Sequence, residues 1–284
     1  MGRLLLLGAA VALALVGTGA VRLRRVWVSA LSDFSPPRGP VPRPAPGVLP
    51  AFEDVTFGAG VRGWLVPSAN GATIVYVHGS GANRAQLVPE AAALARRGYG
   101  ALVFDLPGHG ESPGRVSFGR PERDAIRAAL ALAGRQPGVT RVGALGFSMG
   151  AFLLTQVMAE GGAAQAFVLE GAPTDAREQT RFEYRAWGPL TQWPAVWATA
   201  TRMDLDEAQP QDVAPRIHAP ALLVTSDDDA AVPPEMTRRL AGVLGGPSEI
   251  YVVPGSGHGG YGARAGDAYN ARLAAFFDAN LGKR

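Results

Sequence analysis

The sequence contains no cysteine. That excludes a thiol nucleophile, Cys-based metal sites and disulfides. Histidine is scarce, four in 284 residues, so a general base of that type has few places to be. Basic charge is missing where a nucleic-acid binder would carry it. The chain is +3 overall, yet Arg3, Arg22, Arg24, Arg25, Arg38 and Arg43 stand against Asp33 alone in residues 1–46, a net of +5, which leaves residues 47–284 at −2. Nucleic-acid binders concentrate basic residues on the folded domain, so no nucleic-acid partner is expected. What is present fits a globular chain, with 47% hydrophobic and 18% charged residues. Its length allows one large, well-buried domain. The 37 glycines and 23 prolines point to many tight turns between short elements.

Residues 4–21 are an uncharged run rich in Leu and Ala, flanked by Arg3 in front and Arg22, Arg24 and Arg25 behind. As a helix the run spans roughly 27 Å, close to the hydrocarbon thickness of a bilayer. A cleaved signal has a shorter apolar stretch, about 7–15 residues, with its positive charge in front. The pattern here favours an uncleaved single-pass membrane anchor, with a signal segment cleaved near Thr18-Gly19-Ala20 as the alternative. The positive-inside rule assigns the arginine cluster and the domain after it to the cytoplasm, whereas a cleaved segment would deliver the domain to the secreted side. Residues 35–50 hold seven prolines, which exclude helix and interior strand and make a stiff, extended linker. The expected organisation is an anchor or signal over 1–34, a linker over 35–50 and a domain over 51–284.

Within the domain, apolar runs rich in Val, Leu and Ile alternate with helical patterns. Residues 52–57 and 62–67 read as an antiparallel pair of strands. Residues 73–78, 100–105, 141–147, 166–170, 219–226 and 248–253 suit strands buried on both faces of a parallel sheet. Helical patterns fall at 84–97, 121–133, 149–160, 234–244 and 263–281. The alternation implies βαβ units in a doubly wound α/β sheet. Residues 172–215 break it, with no clear strand and with Trp187, Trp193 and Trp197. Ligands bind beyond the carboxyl ends of such sheets, so this stretch is expected to cover the site as a short helical cap. The plainer alternative is a surface excursion packed on the sheet.

Gly146-Phe147-Ser148-Met149-Gly150 sits between a predicted strand and a predicted helix. A nucleophile elbow holds a serine in a strained turn of this kind, and small residues two positions either side relieve the crowding of strand on helix. The helix N-terminus adds a field that favours developing negative charge. A serine needs a base to attack at neutral pH. In elbow folds the chain order is serine, acid, histidine, so His78 and His109 come too early, and His218 precedes a strand at the wrong end of the sheet. His258, in the glycine-rich turn Gly255-Ser256-Gly257-His258-Gly259-Gly260 after the last strand, is the candidate base. The acid follows the next-to-last strand, where Asp227, Asp228 and Asp229 stand in a row. Asp229 is chosen because Val232-Pro233 opens the next helix at a fixed distance, with Asp228 as its rival. The turn His78-Gly79-Ser80-Gly81 follows the first parallel strand. With Met149 it offers the two backbone N–H groups an oxyanion requires, those of Ser80 and Met149.

These blocks, with Asp105-Leu106-Pro107-Gly108-His109-Gly110-Glu111-Ser112, resemble in order those of the α/β-hydrolase superfamily, over residue 52 to the C-terminus. The opening Phe52-Glu53-Asp54-Val55-Thr56-Phe57 before Gly63-Trp64-Leu65-Val66-Pro67 looks like the membrane-associated, serine aminopeptidase-like and dipeptidyl-peptidase-like subgroup. The resemblance implies that residues 105–112 form a structural turn near the site and take no part in the chemistry.

The chemistry expected is acyl transfer to water: Ser148 attacks, His258 moves the proton, and Asp229 orients the imidazole. It needs no metal or organic cofactor. A small-molecule carboxylic ester with an apolar portion is the expected substrate, from the aromatic content of the cap (Phe182, Tyr184, Trp187, Trp193 and Trp197). An acyltransferase or peptidase on the same triad is the second reading. A membrane-tethered binding protein without activity is the third, disfavoured because no catalytic residue is missing. Oligomeric state is not legible.

Overall fold

The structure is a computed structural model that describes residues 2–282, with side chains from residue 16 onward. The chain forms an α/β-hydrolase fold. Its one sheet has eight strands: β1 (Glu53–Phe57), β2 (Val61–Val66), β3 (Ala72–Val77), β4 (Gly100–Phe104), β5 (Arg141–Phe147), β6 (Ala166–Glu170), β7 (Ala221–Thr225) and β8 (Ser248–Val252). They lie side by side in the order β1-β2-β4-β3-β5-β6-β7-β8. β1 and β2 pair antiparallel, β2 meets β4 antiparallel, and the ladders from β4 through β8 are parallel. The strands are the ones the apolar runs predict, to within two residues at each end.

Helices α2 (Val88–Ala95), α3 (Arg120–Gly134), α4 (Met149–Ala159), α8 (Pro234–Val243), α9 (Tyr261–Ala265) and α10 (Asp267–Leu281) connect and cover the strands. The period-two alternation of the strands divides the core into two layers. Val75, Val77, Leu102, Phe104, Phe167 and Leu169 pack toward α3 and α4, against Ile126, Leu130, Leu153 and Leu154. Ile74, Tyr76, Val103, Ala166 and Val168 pack the other way, against Leu94 of α2 and Leu273 and Phe277 of α10. Because both faces are covered, the central strands read as unbroken apolar runs rather than alternating ones.

Two helix boundaries differ from the sequence pattern. The predicted helix over 84–97 starts four residues late, because the Arg84 N–H donates to Asp105 (2.7 Å) and its guanidinium pairs with the same carboxylate. The pattern over 263–281 is cut in two at Gly266, whose backbone takes φ +56°. The side-chain period passes through such a break, which is why the sequence conceals it.

Residues 171–220, between β6 and β7, fold as α5 (Ala176–Glu183), a 3₁₀ turn (Tyr184–Trp187), α6 (Pro189–Ala200) and α7 (Pro210–Val213). Against α6 lies α1 (Gly2–Ser32). Val26 and Ala30 of α1 are buried with Tyr184, Ala195 and Ala198 in a small cluster separate from the two main layers. The proline-rich stretch also lies against the body. Val41 and Leu49 are buried, and the Arg38 guanidinium donates to the Ser112 carbonyl at 2.8 Å.

No helix among the described residues is long and apolar enough to cross a membrane. The expected anchor over residues 4–21 falls largely outside the described side chains, which take in only its last six residues.

Phe277 tests the assignment of the second core layer. It is fully buried between Tyr99, Phe276 and the backbone of Gly143. Phe277→Ala is expected to lower stability by about 3–5 kcal/mol, read as a fall in the guanidinium midpoint at unchanged slope.

Candidate active site

The ends of five strands meet at one place. β5 runs into Ser148, which takes φ +50° and ψ −113° before α4 begins. A non-glycine residue at positive φ is held there only by its surroundings. Here the Ser148 N–H donates to the Glu170 carbonyl at the end of β6 (2.8 Å), and its own carbonyl accepts from Phe152 (3.0 Å). The flanking glycines are required by contact. A Cβ on Gly146 would lie 2.7 Å from the Gly150 carbonyl oxygen, and one on Gly150 would run into the Val77 and His78 carbonyls.

The structure brings Ser148, His258 and Asp229 together. His258 Nε2 lies 2.9 Å from Ser148 Oγ, and His258 Nδ1 lies 2.8 Å from Asp229 Oδ2. Asp229 is buried, and its Oδ1 accepts from the backbone N–H groups of Ala231 (2.9 Å) and Val232 (2.8 Å). Those bonds leave Oδ2 for the imidazole and fix its direction. The two neighbouring aspartates serve the loop instead. Asp227 accepts from Gly255 N–H (3.0 Å), and Asp228 accepts from Gly257 N–H (2.9 Å) and from the Ser226 hydroxyl. Both hold the turn that carries His258. The Phe147 ring packs 5.0 Å from the imidazole on its other side.

Ser80 and Met149 line the same cavity as Ser148. The turn that carries Ser80 is held by His78, whose Nε2 accepts the Leu106 N–H (3.0 Å) while Nδ1 contacts the Gly79 carbonyl (2.8 Å). Burial pushes His78 down to about 3, so its ring is neutral. His109 packs edge-on to it at 4.9 Å and is lowered by burial as well. His218 lies away from the site, with Nδ1 3.2 Å from the Gly245 carbonyl. The turn over residues 105–112 is structural in its contacts: Asp105 accepts from the backbone of Arg84 and Glu111, and the Ser112 hydroxyl donates to the Asp105 carbonyl. Among the described residues, no group of three or more His, Asp or Glu gathers to hold a metal ion.

With this geometry in view, the matches to known proteins are specific. Residues 74–272 match the model of the alpha/beta hydrolase family. The chain belongs to that family. The uncharacterized protein Rv2307c of Mycobacterium tuberculosis is 30% identical over 254 residues, 86% of this chain and 85% of that protein. Among solved structures, the Pyrococcus furiosus esterase Pf2001 superposes with a TM-score of 0.72 at 22% identity, covering 88% of this hydrolase and 98% of that chain. The acylaminoacyl peptidase of Pyrococcus horikoshii gives 0.67 at 18% identity, over 86% of this hydrolase and 44% of that chain.

Sequence reasoning missed part of the cavity. Ala30, Asp33 and Phe34, from the end of α1 and the residues after it, line the cavity beside Ser80 and Ser148. The rings of Phe34 and Phe118 pack at 5.1 Å. Phe118 takes φ +54° and is, with Ser148, one of two non-glycine residues at positive φ among those described. No local signal marks Phe34, because the Phe118 ring it packs on is more than eighty residues away in sequence. The cap aromatics need correction. Of the five aromatics from which an apolar substrate is expected, Tyr184 lines the cavity, Phe182 is half-buried outside its lining, and Trp187, Trp193 and Trp197 are exposed. The small residues of α6, Ala195 and Ala198, face α1, and the bulky ones turn outward.

Behind the histidine loop lies a carboxyl pair, Glu170 buried and Glu90 half-buried, that the sequence also concealed. Glu170 is buried at the end of β6 and bonded to the Tyr269 hydroxyl, and Glu90 of α2 is its electrostatic neighbour. Burial pushes Glu90 up to about 6 and, reinforced by the charge of Glu90, lifts Glu170 well above the usual carboxylate range. Two carboxyls this close titrate as a pair. A carboxyl whose pKa is raised by folding stabilises the fold while protonated, and that stability is lost as pH rises through the raised value.

Two outcomes are expected. Gly150→Ala, whose methyl meets backbone on strand β3, should cost about 2–3 kcal/mol or more in chemical denaturation, or prevent folding. Between pH 5.5 and pH 8.5, a window that spans the value of about 6 to which Glu90 is raised, the parent should lose several degrees of Tm. Glu170→Gln, which keeps an acceptor for Tyr269 but cannot ionise, should lose less than about half as much.

Proposed function

We propose that this chain is a serine hydrolase that cleaves a small carboxylic ester through an acyl-enzyme, with residues 4–21 as its membrane anchor. The observation that carries the chemistry is the continuous relay from Ser148 Oγ through His258 to Asp229, at 2.9 and 2.8 Å. In the proposed reaction His258 Nε2 takes the Ser148 proton as Oγ bonds to the ester carbonyl carbon. The imidazolium that forms is stabilised by Asp229, which also fixes the tautomer by accepting from Nδ1. His258 then returns the proton to the leaving alkoxide, and a water activated at the same nitrogen releases the acid. The N–H groups of Met149 and Ser80 would hold the oxyanion, each worth roughly 3–4 kcal/mol in comparable sites. Met149 opens α4, so the helix dipole adds to the same field.

The cavity supports a neutral ester. Phe34, Phe118, Phe152 and Met203 supply apolar wall, while Asp33 and Glu183 place two carboxyl groups in the lining and no Lys or Arg among the described residues joins them. A substrate that carries a free carboxylate would meet that wall unfavourably.

The test follows p-nitrophenyl acetate, butyrate and octanoate hydrolysis by the full chain in detergent micelles, since residues 30–34 belong to the cavity. Ser148→Ala should abolish fluorophosphonate labelling and lower kcat by about a thousandfold or more. Asp229→Asn should lower kcat by roughly a hundredfold to ten-thousandfold with folding intact, and Asp228→Asn should act mainly on stability. A folded parent that neither turns over an ester nor labels would overturn the reading.

A further inference from the structure

Most of the exposed large apolar side chains lie in one region of the molecule. Of the twelve in the described residues, nine belong to α1, α6 or the 3₁₀ turn between α5 and α6. Four of the five tryptophans of the chain lie there, Trp27, Trp187, Trp193 and Trp197, while Trp64 alone is in the core. The pattern on α6 is ordered. Leu190, Trp193 and Trp197 follow one another at three and four residues, so they form one stripe along the helix. That stripe is open to solvent, with Leu190 86%, Trp193 49% and Trp197 61% exposed. The opposite face of α6 carries Ala195 and Ala198, buried against Val26 and Ala30 of α1.

A contiguous apolar surface of this kind marks an interaction site, and the chain itself points to the occupant. α1, the helix on which α6 rests, carries the uncharged run of residues 4–21, and Arg22, Arg24 and Arg25 follow that run as exposed side chains. Arg181 adds a guanidinium over the Trp193 ring at 5.0 Å. Tryptophan is the residue that settles at the boundary between headgroup and acyl chain, and arginines beside an apolar span pair with anionic headgroups. Distance agrees. Ala30, which lines the cavity beside Ser148, stands nine residues beyond the end of the run, about 14 Å along the helix. A headgroup layer is roughly 5–8 Å deep on each side, so the cavity stands within about 10 Å of the lipid surface.

We infer that the Leu190, Trp193 and Trp197 stripe, with the exposed side of α1, docks on an anionic phospholipid bilayer, so that the cavity beside Ser148 takes acyl esters resident in that bilayer. The inference rests on the anchored hydrolase reading and goes beyond it. An anchor packed on α6 through Val26 and Ala30 limits how far the domain can lean but does not by itself bring the cap to the lipid. A docked cap fixes the cavity at the lipid surface, and an amphiphile can enter without crossing water. The acyl chain then has the apolar wall of Phe34 and Phe118 to follow toward Ser148.

The test uses the full chain, reconstituted into vesicles of phosphatidylcholine and phosphatidylglycerol, beside a variant with Leu190→Ser, Trp193→Ser and Trp197→Ser. These three residues lie outside the cavity lining, so the rate on p-nitrophenyl butyrate in detergent should stay within about twofold and also reports that the variant folds. On a long-chain fluorogenic ester embedded in the vesicles, the variant should fall by about tenfold or more. Tryptophan emission of the parent should be quenched by brominated-chain lipid, and the share of that quenching due to Trp193 and Trp197 should vanish in the variant, leaving that of Trp27 and Trp187. Equal rates on the embedded ester, with quenching unchanged, would overturn the inference. So would a parent dimer in detergent that the variant converts to monomer at full vesicle activity, because a second copy would then be the occupant. Quenching without turnover of any ester would leave the docking intact and sink the hydrolase reading instead.

Discussion

The left-handed turn at Ser148 constrains everything around it. A serine at φ +50° is strained, and the strain persists because β6 and the first turn of α4 satisfy its backbone on both sides. The close contacts that demand glycine at 146 and 150 are the same contacts that bring β3, β5 and α4 to within van der Waals distance. Once the elbow stands clear of the sheet, the imidazole can reach it only from the loop after β8. That loop is in turn tied down by Asp227 and Asp228. Three consecutive aspartates therefore share the work, since two hold the histidine loop and the third holds the histidine.

The carboxyl pair of Glu90 and Glu170 is joined to the same centre by the backbone. Glu170 receives the Ser148 N–H through its carbonyl while its side chain faces the Tyr269 hydroxyl. Gly171, the next residue, lies against the His258 ring, and a Cβ there would sit 3.1 Å from Cε1. The end of β6 thus touches Ser148 and His258 at once, and a buried charge beside it would be felt by both. Keeping that carboxyl protonated is the low-cost state of a group that no cation among the described residues pairs with.

Much of this was legible in the residues, for reasons that differ by element. The buried strands declare themselves because both faces are apolar. Ser148, His258 and Asp229 are recoverable because each is bound to a local pattern at a strand end, and the row of aspartates was separable because Val232-Pro233 fixes where α8 begins. What escaped is contact made over long separations. Glu90 and Glu170 look like ordinary helix and strand residues until α2 and β6 are placed side by side. Phe34 and Asp33 read as the tail of an anchor and become cavity wall only when α1 lies on the cap. The direction of the cap tryptophans was misjudged because aromatic content says nothing about which face of a helix is covered. α6 shows the converse of the usual rule, with alanines inside and tryptophans outside.

That inversion has a physical cause. Surface helices ordinarily bury their largest apolar residues and expose the small or polar ones. On α6 the neighbour is another helix, and alanine at the contact lets the two backbones approach closely, as Ala195 and Ala198 do against Val26 and Ala30. Tryptophan in those positions would force α1 away and open the wall that Ala30, Asp33 and Phe34 give the cavity. The cap therefore carries its bulk outward to keep α1 in place. Water leaves such a stripe of Leu190, Trp193 and Trp197 without the gain that burial brings. A lipid boundary would restore that gain and at the same time hold α1, so the proposed docking would settle the shape of the cavity and the orientation of the cap together.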